Sequence, residues 1–385
     1  MAFPPHPNEE SSPTPSAGLL EIDLAAIRAN YRLLQARLGQ TQCAGVVKAD
    51  AYGLGASRVA PELHAEGCRH FFVAHFDEAL ALRPVLPDDS TLYVLNGLTR
   101  DAVGACAQAA VVPVLNSADH LAAWRAEAAR LGRILPAVVQ IDTGMSRLGL
   151  APAEVRTLAQ NARAFEGLDI LFVMSHLACA DEPARAANAE QLANFRAGHD
   201  VLASHSAFAR ARRCLANSSG IFLGQDYHFD MARPGAALYG INPLPGRPNP
   251  MRPVVRLHAR VIQTRAIPRG VHVGYGYTFE APAPVRVATL SVGYADGWLR
   301  SLGGRGTVYL DGHRLPILGR VSMDSISVDI SSLPEGAVGT DARVELIGDH
   351  QSVDQVADAA GTIGYEILTS LGHRYRRIYS GEARA

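Results

Sequence analysis

Lysine is almost missing from this sequence. Lys plus Arg total 36 in 385 residues, and one of the 36 is a lysine, Lys48. Arginine and lysine are near-equivalent as solvated surface charges. Only lysine offers a primary amine that can lose its proton, because a guanidinium stays protonated. Chemistry that needs an amine therefore has one candidate side chain. Cysteine is scarce too: the five (43, 68, 106, 179 and 214) form no C-x-x-C pair. That argues against a disulfide framework or a structural zinc site, so no metal is expected, and it suits a reducing, cytoplasmic setting. No apolar run approaches the ~20 residues of a membrane helix, which excludes an integral membrane protein. The formal net charge of −1 leaves no dominant basic surface for nucleic acid. The opening MAFPPHPNEESSPTPSAG lacks the basic start and apolar stretch of a secretory signal. Residues 1–17 read as a Pro/Ser-rich disordered arm.

What is present points to two domains. The chain is long and 48% hydrophobic, enough for a large core. Residues 19–38 read as a strand-like start followed by an amphipathic helix. Eight short apolar runs follow: CAGVVKA (43–49), HFFVAH (70–75), TLYVLNG (91–97), VVPVLNS (111–117), ILPAVVQID (134–142), LDILFVMSH (168–176), RRCLANSS (212–219) and YHFDMARPG (227–235). Stretches of helical periodicity separate most of them. This is the pattern of an α/β protein with a (β/α)8 TIM-type barrel, expected over 18–246. Active sites of such barrels lie at the C-terminal strand ends. The polar residues there are Lys48, His75, Asn96, Asn116, Asp142 with Arg147, His176, Asn217 with Ser218, and Arg233. The Pro/Gly-rich INPLPGRPNPMRP (241–253) marks a boundary. Beyond it alternating runs dominate, with Asp311-Gly312 as a hairpin turn, and SVDQVADAAGTIGYEILTSLG looks helical. A mostly β C-terminal domain is expected over 247–380.

The runs carry specific motifs. In order they are VVKADAYGLG (46–55), DTGMSRLG (142–149), SHLACAD (175–181), ANSSG (216–220), RPGAALYG (233–240), VGYGYTF (273–279), VGYADG (292–297) and GRVSMD (319–324). Through these motifs the sequence resembles alanine racemase, a family of pyridoxal-phosphate enzymes that joins a barrel to a β domain. The likeness runs from about residue 18 to 380.

The resemblance implies roles. Lys48 corresponds to the lysine that holds pyridoxal 5′-phosphate as a Schiff base and later acts as one of two bases. Tyr275 corresponds to the other base, on the opposite face of the substrate Cα, and Tyr277 is a decoy two residues on. An unperturbed tyrosine titrates near ~10 and needs help to act as a base; His176 corresponds to the histidine linking it to Arg233. Arg233 corresponds to the arginine facing the pyridine nitrogen, which a guanidinium does not protonate. Tyr52, Asn217, Ser218, Gly235 and Ala236 correspond to cofactor-binding positions, the last two through backbone N–H groups at a helix start. Arg147 corresponds to an arginine contacting cofactor and substrate carboxylate; Tyr294, Met323 and Asp324 correspond to the substrate pocket. The family is dimeric, with Tyr275 acting on the partner's barrel, and D-alanine would supply peptidoglycan.

Two positions depart from the family. Some members carry a carbamylated lysine seven residues before the arginine matching Arg147; here it is Gln140, and a neutral amide takes over the orienting task. Some members have a phosphate-contacting tyrosine where this chain has His373. Alternatives remain: a serine-specific or broader racemase, a decarboxylase of the same fold (which would need a carboxylate at Arg233), or a non-catalytic pyridoxal-phosphate carrier (which would lack the β domain).

Overall fold

The computed structural model describes Ser16 and residues 18–382, so all of the expected arm except Ser16 lies outside the described residues. The described chain divides into two compact units, one of residues 27–51 and 55–252, the other of 18–26, 52–54 and 253–382.

Chain order begins with β1 (Gly18–Asp23), which belongs to the second unit. The first unit holds β2 (Gln42–Cys43), β3 (Gly45–Val46), β4 (His70–Val73), β5 (Thr91–Val94), β6 (Val112–Leu115), β7 (Leu135–Gln140), β8 (Leu168–Met174), β9 (Arg212–Cys214) and β10 (Met231–Ala232). Their order is β2-β10-β9-β8-β7-β6-β5-β4-β3, all parallel. β2 and β3 are one strand interrupted at Ala44: the first piece pairs with β10, the second with β4. The sheet therefore closes into an eight-position barrel. Each apolar run read from the sequence holds a strand, some much shorter than expected; the 227–235 run contributes Met231–Ala232 alone. Phe71, Phe72, Tyr93 and Phe172 are buried, and the Phe72 and Tyr93 rings stack at 4.5 Å. Such a filled interior leaves the strand ends as the place for a site.

Helices Ala56–Ala65, Phe76–Leu82, Val103–Gln108, Ala118–Leu131, Pro152–Gln160 and Ala186–Ala203 lie between these strands. The last two repeats differ from expectation. After β9 and β10 the chain makes 3₁₀ turns, Ser219–Phe222 and Ala236–Tyr239. After β9 the Asn217 Oδ1 accepts from Gly220 N at 2.9 Å, a local bond that competes with an α-helix. The helix Leu24–Leu38 is pinned beside the closing strands instead: the Asn30 amide donates to Leu238 O and Arg252 O (3.1 and 3.0 Å), and Tyr31 donates to Cys43 O (2.9 Å).

The second unit is mostly antiparallel: β11 (Val255–Ile267), β12 (His272–Val273), β13 (Phe279–Glu280), β14 (Val285–Leu290), β15 (Thr307–Leu310), β16 (His313–Leu318), β17 (Ile326–Asp329), β18 (Arg343–Ile347) and β19 (Arg376–Ser380). The long β11 pairs with β14 along its second half and with β18 along its first, so six strands form a closed ring. Asp311-Gly312 joins β15 to β16 with φ of +49° and +81°, the geometry of a two-residue hairpin turn. The barrel expected from residue 18 is corrected here: β1 pairs antiparallel with β11 and parallel with β19, inside the second unit's sheet. The unit changes again between Arg252 and Pro253.

Candidate active site

Lys48 stands at the end of the interrupted first strand, half-buried. The segment Lys48–Gly53 that it opens hydrogen-bonds like a helix, yet φ is +51°, +54°, +53° and +57° at Ala49, Asp50, Ala51 and Tyr52. The turn is left-handed. Each such L-residue costs roughly 1–2 kcal/mol, and strain of this kind persists only where surrounding structure holds it. Burial lowers the pKa of the Lys48 ammonium, with Arg147 adding to the effect, Glu78 opposing it and Arg233 contributing least. The amine is thereby brought toward its neutral form.

Arg233, 4% exposed, follows β10 and is held by four acceptors. Its Nη1 donates to Cys214 O (3.1 Å) and Cys214 Sγ (2.8 Å), and its Nη2 to Ser175 O (2.7 Å) and His176 Nδ1 (3.2 Å). The Nε–H remains as its fifth donor. Burial, then Arg233, Arg147 and Lys48, push the His176 pKa down to about 3. The imidazole is neutral. Because its Nδ1 receives the arginine's proton, we assign the ring proton to Nε2.

Ser218 lies between β9 and β10 and is 4% exposed. Its Oγ accepts from Gly235 N (3.0 Å) and Ala237 N (3.1 Å). With two N–H groups on the oxygen, the hydroxyl proton is left to point at another acceptor. Gly235 and Ala237, the two residues that donate here, flank Ala236. Asn217 braces the same loop, its amide donating to Leu177 O at 3.4 Å. The donor set of an amine with lowered pKa, a fixed guanidinium N–H and a hydroxyl donor fits a group bearing an aldehyde, an acceptor nitrogen and a phosphate.

Arg147 sits on the exposed loop after β7. The Asp142 Oδ1 accepts from the N–H groups of Gly144, Met145 and Ser146 (3.0, 3.1 and 3.1 Å), which shapes the approach to Arg147. The return requires glycine: Gly149 has φ +110°, and a Cβ there would lie 2.7 Å from Asp142 N. Gln140 donates to Leu148 O at 3.2 Å. It reaches the backbone beside Arg147, so its hold on the arginine runs through the loop.

The remaining expected residues lie in the second unit. Tyr275 is 71% exposed, between Gly274 (φ +74°) and Gly276 (φ +71°). A Cβ on Gly276 would stand 3.0 Å from Arg320 Nη1, so a glycine lets this loop lie on the guanidinium. Tyr277 differs from Tyr275: its ring stacks on His272 at 4.7 Å. Tyr294 and Met323 are exposed, and their loops are joined by Tyr294 N to Ser322 O and Ala295 N to Met323 O, both 3.0 Å. The Asp324 carboxylate accepts from Arg374 Nη1 at 2.7 Å, and Arg374 also grips buried Asp296 at 2.6 and 2.8 Å. Tyr52 packs against Tyr365 with ring centres 6.0 Å apart; burial, then Tyr365, hold its hydroxyl well above the usual tyrosine pKa. It is a protonated donor. His373 lies next to Arg374 in the chain.

Sequence reasoning passed over Glu78 and Arg374, which hydrogen-bond Ala49 N and Asp324, and read Asp142 as a strand-end polar residue without its loop-bracing bonds. Glu78 and Arg374 lie in no motif, and a carboxylate near Lys48 on another strand's helix has no local signal. The four acceptors of Arg233 are likewise spread over 58 residues of separation.

Comparison with known proteins agrees with the motifs. Residues 22–243 match the family described as alanine racemase, N-terminal domain, and residues 254–379 match alanine racemase, C-terminal domain. The chain is 55% identical over 366 residues to a catabolic alanine racemase of Mesorhizobium japonicum, covering 95% of this chain and 94% of the relative. It is 51% identical over 377 residues to an alanine racemase of Brucella canis, covering 94% of each. Among solved structures, an alanine racemase of Bartonella henselae with covalently bound pyridoxal phosphate superposes with TM-score 0.90 at 45% identity, covering 95% of this chain and 100% of that one. A biosynthetic alanine racemase of Pseudomonas aeruginosa gives 0.87 at 36%, with the same coverage. With both domains matched and relatives above half identity over nearly its whole length, the chain belongs to the alanine racemase family, whose cofactor is pyridoxal phosphate.

Proposed function

We propose that this chain interconverts L-alanine and D-alanine by a two-base mechanism, as a cytoplasmic homodimer whose active sites are each shared between two subunits. The observation that carries the reading is the strand-end group in the first unit: the sole lysine, its amine pKa lowered, together with Arg233, His176 and Ser218.

Lys48 is the one side chain able to hold pyridoxal phosphate through an amine. The Ser218 hydroxyl and the backbone of 235–237 would hold its phosphate, with Tyr52 and Asn217 supporting that end. Arg233 would offer Nε–H to the ring nitrogen and, staying charged, would give it no proton. When bound, the cofactor withdraws electrons from the substrate Cα and so loosens its hydrogen. Lys48 then takes or returns a proton on one face of Cα. The partner subunit's Tyr275 does so on the other. The neutral His176, with its proton on Nε2, can donate to a tyrosine oxygen and favour its ionised form. Arg147 would meet the substrate carboxylate, together with the backbone of Met323.

Tyr294 and Met323 would narrow the pocket toward a methyl side chain, although exclusion of one extra group is a modest discriminator. L-serine is therefore the competing substrate to measure. In an achiral solvent the two alanine enantiomers are equal in free energy, so one site serves both directions. Supply of D-alanine for peptidoglycan is one proposed use. Breakdown is the other, as the name of the Mesorhizobium relative suggests.

The test has two parts. Borohydride reduction of the loaded protein should fix one cofactor per chain on the peptide carrying Lys48. The circular dichroism of L-alanine should then decay to zero with unreduced enzyme, and more slowly for L-serine. Cofactor that washes out fully after reduction, or alanine that keeps its optical activity, would overturn the reading.

A further inference from the structure

Glu78 has an ordinary task and a second one that the ordinary task does not require. It is the third residue of the helix Phe76–Leu82. Its Oε2 accepts from Ala74 N at 2.7 Å and from His75 N at 3.0 Å. That is what a capping glutamate at this position does. Its Oε1, however, accepts from Ala49 N at 2.5 Å. Ala49 follows Lys48 and is the first residue of the left-handed turn. One carboxylate thus joins the start of the turn after the first barrel strand to the start of the helix after the next.

The charges around Lys48 make this contact consequential. The groups that act on its amine are Arg147, Arg233 and Glu78, and neutral His176 lies close as well. Two are cations and one is an anion. The His75 ring beside Glu78 meets the Asn96 amide at 3.5 Å.

We propose that Glu78 is a positioning residue for Lys48: its carboxylate anchors the left-handed turn at Ala49 and supplies a counter-charge among the cations at that strand end. The inference rests on the reading that Lys48 carries the cofactor. Its physical content is a balance. An amine surrounded only by apolar atoms and guanidinium groups would be neutral but a feeble base, and proton abstraction weakens as basicity falls. A nearby carboxylate restores basicity. Burial and Arg147 depress the Lys48 pKa, and Glu78 is the group that opposes them.

Because the chain has one lysine, its side-chain amine can be titrated directly. Full-length protein, freed of cofactor with hydroxylamine, is pulsed with acetic anhydride over a pH series. Acetylation of the Lys48 peptide is read by mass spectrometry, with the N-terminal amine as internal reference. Glu78→Gln should lower the labelling midpoint by about one pH unit, roughly a tenfold loss of proton affinity. Glu78→Asp keeps the charge and should stay near the wild-type midpoint. If Glu78→Gln fails to fold, Glu78→Met, of similar length and uncharged, gives the same reading. A midpoint unchanged or raised in a folded uncharged variant would overturn the proposal. So would equal shifts in the Asp and uncharged variants, which would make Glu78 a helix cap alone. The titration needs neither cofactor nor turnover, so its failure is separate from any failure of the racemase reading.

Discussion

The candidate site residues of the barrel and those of the β unit differ in exposure and in how they are held. In the barrel, Arg233 and Ser218 are each 4% exposed, and each is fixed by two or more hydrogen bonds. In the β unit, Tyr275, Met323 and Tyr294 are 71%, 53% and 42% exposed. A group that exchanges a proton with a weakly acidic carbon works poorly in open water, since a shielded site strengthens each electrostatic contact within it. Arg233 and Ser218 are already shielded. The β-unit residues are not, and in the homodimer proposed above a second copy would cover them.

The most severe way to break this comparison is Lys48→Ala. It should abolish racemisation, by more than about 10⁴-fold, since no second amine side chain can substitute; a racemase assay with excess cofactor checks it. Next, Tyr275→Phe should retain bound cofactor and lose activity by about 10²–10⁴-fold, while Tyr277→Phe, whose ring rests on His272, should stay within about twofold. The two defects should complement each other. Co-expressed Lys48→Ala and Tyr275→Phe chains form mixed dimers with one intact site of two. Purified mixed dimers, separated by two tags, should recover about half the wild-type rate. Mixed dimers that remain dead would place both bases on one chain and undo the contrast between the units.

A milder variant sharpens the β side alone. Arg374→Met removes the partner of Asp324 and of buried Asp296, which should cost about 1–3 kcal/mol of stability. The Tyr294 and Met323 loops would loosen together, raising KM for alanine up to about tenfold with less effect on kcat. Steady-state kinetics beside thermal denaturation would read both. The last effect belongs to the barrel side. His176 and His70 have folded pKa values of about 3 and about 4, each depressed chiefly by burial, against about 6.5 in an unfolded chain. As pH falls through that interval the unfolded chain takes up protons that the folded barrel refuses. Stability is therefore full above about 6.5 and is lost on acidification, by roughly 2 kcal/mol for each histidine between pH 7 and 5. His176→Gln should flatten part of that slope in chemical denaturation at several pH values.

Legibility in the sequence followed the range of the interaction. Lys48 stood out by composition, and the eight apolar runs marked every barrel strand position because strand burial is written locally. The break at Ala44 comes from pairing with two different strands, β10 and β4, which no window of sequence contains. β1 was readable as a strand and not as a member of the β unit, since its partners lie in β11 and β19, more than 200 residues away. For the candidate site, sequence reading picked out side chains with distinctive chemistry and passed over the groups that hydrogen-bond to their segments. Glu78 and Arg374 look like any helix-start glutamate or surface arginine until the fold sets a carboxylate against Ala49 N or a guanidinium between two aspartates.

The left-handed turn after Lys48 has a consequence in mirror-image terms. The backbone region with φ near +50° is strained for L-alanine and relaxed for its enantiomer. Ala49 is held there at φ +51°, and its side chain is exposed. A semisynthetic chain carrying D-alanine at position 49 should therefore fold with less backbone strain than the natural one. The residue beside the sole lysine is an L-alanine held in the geometry that suits the D form.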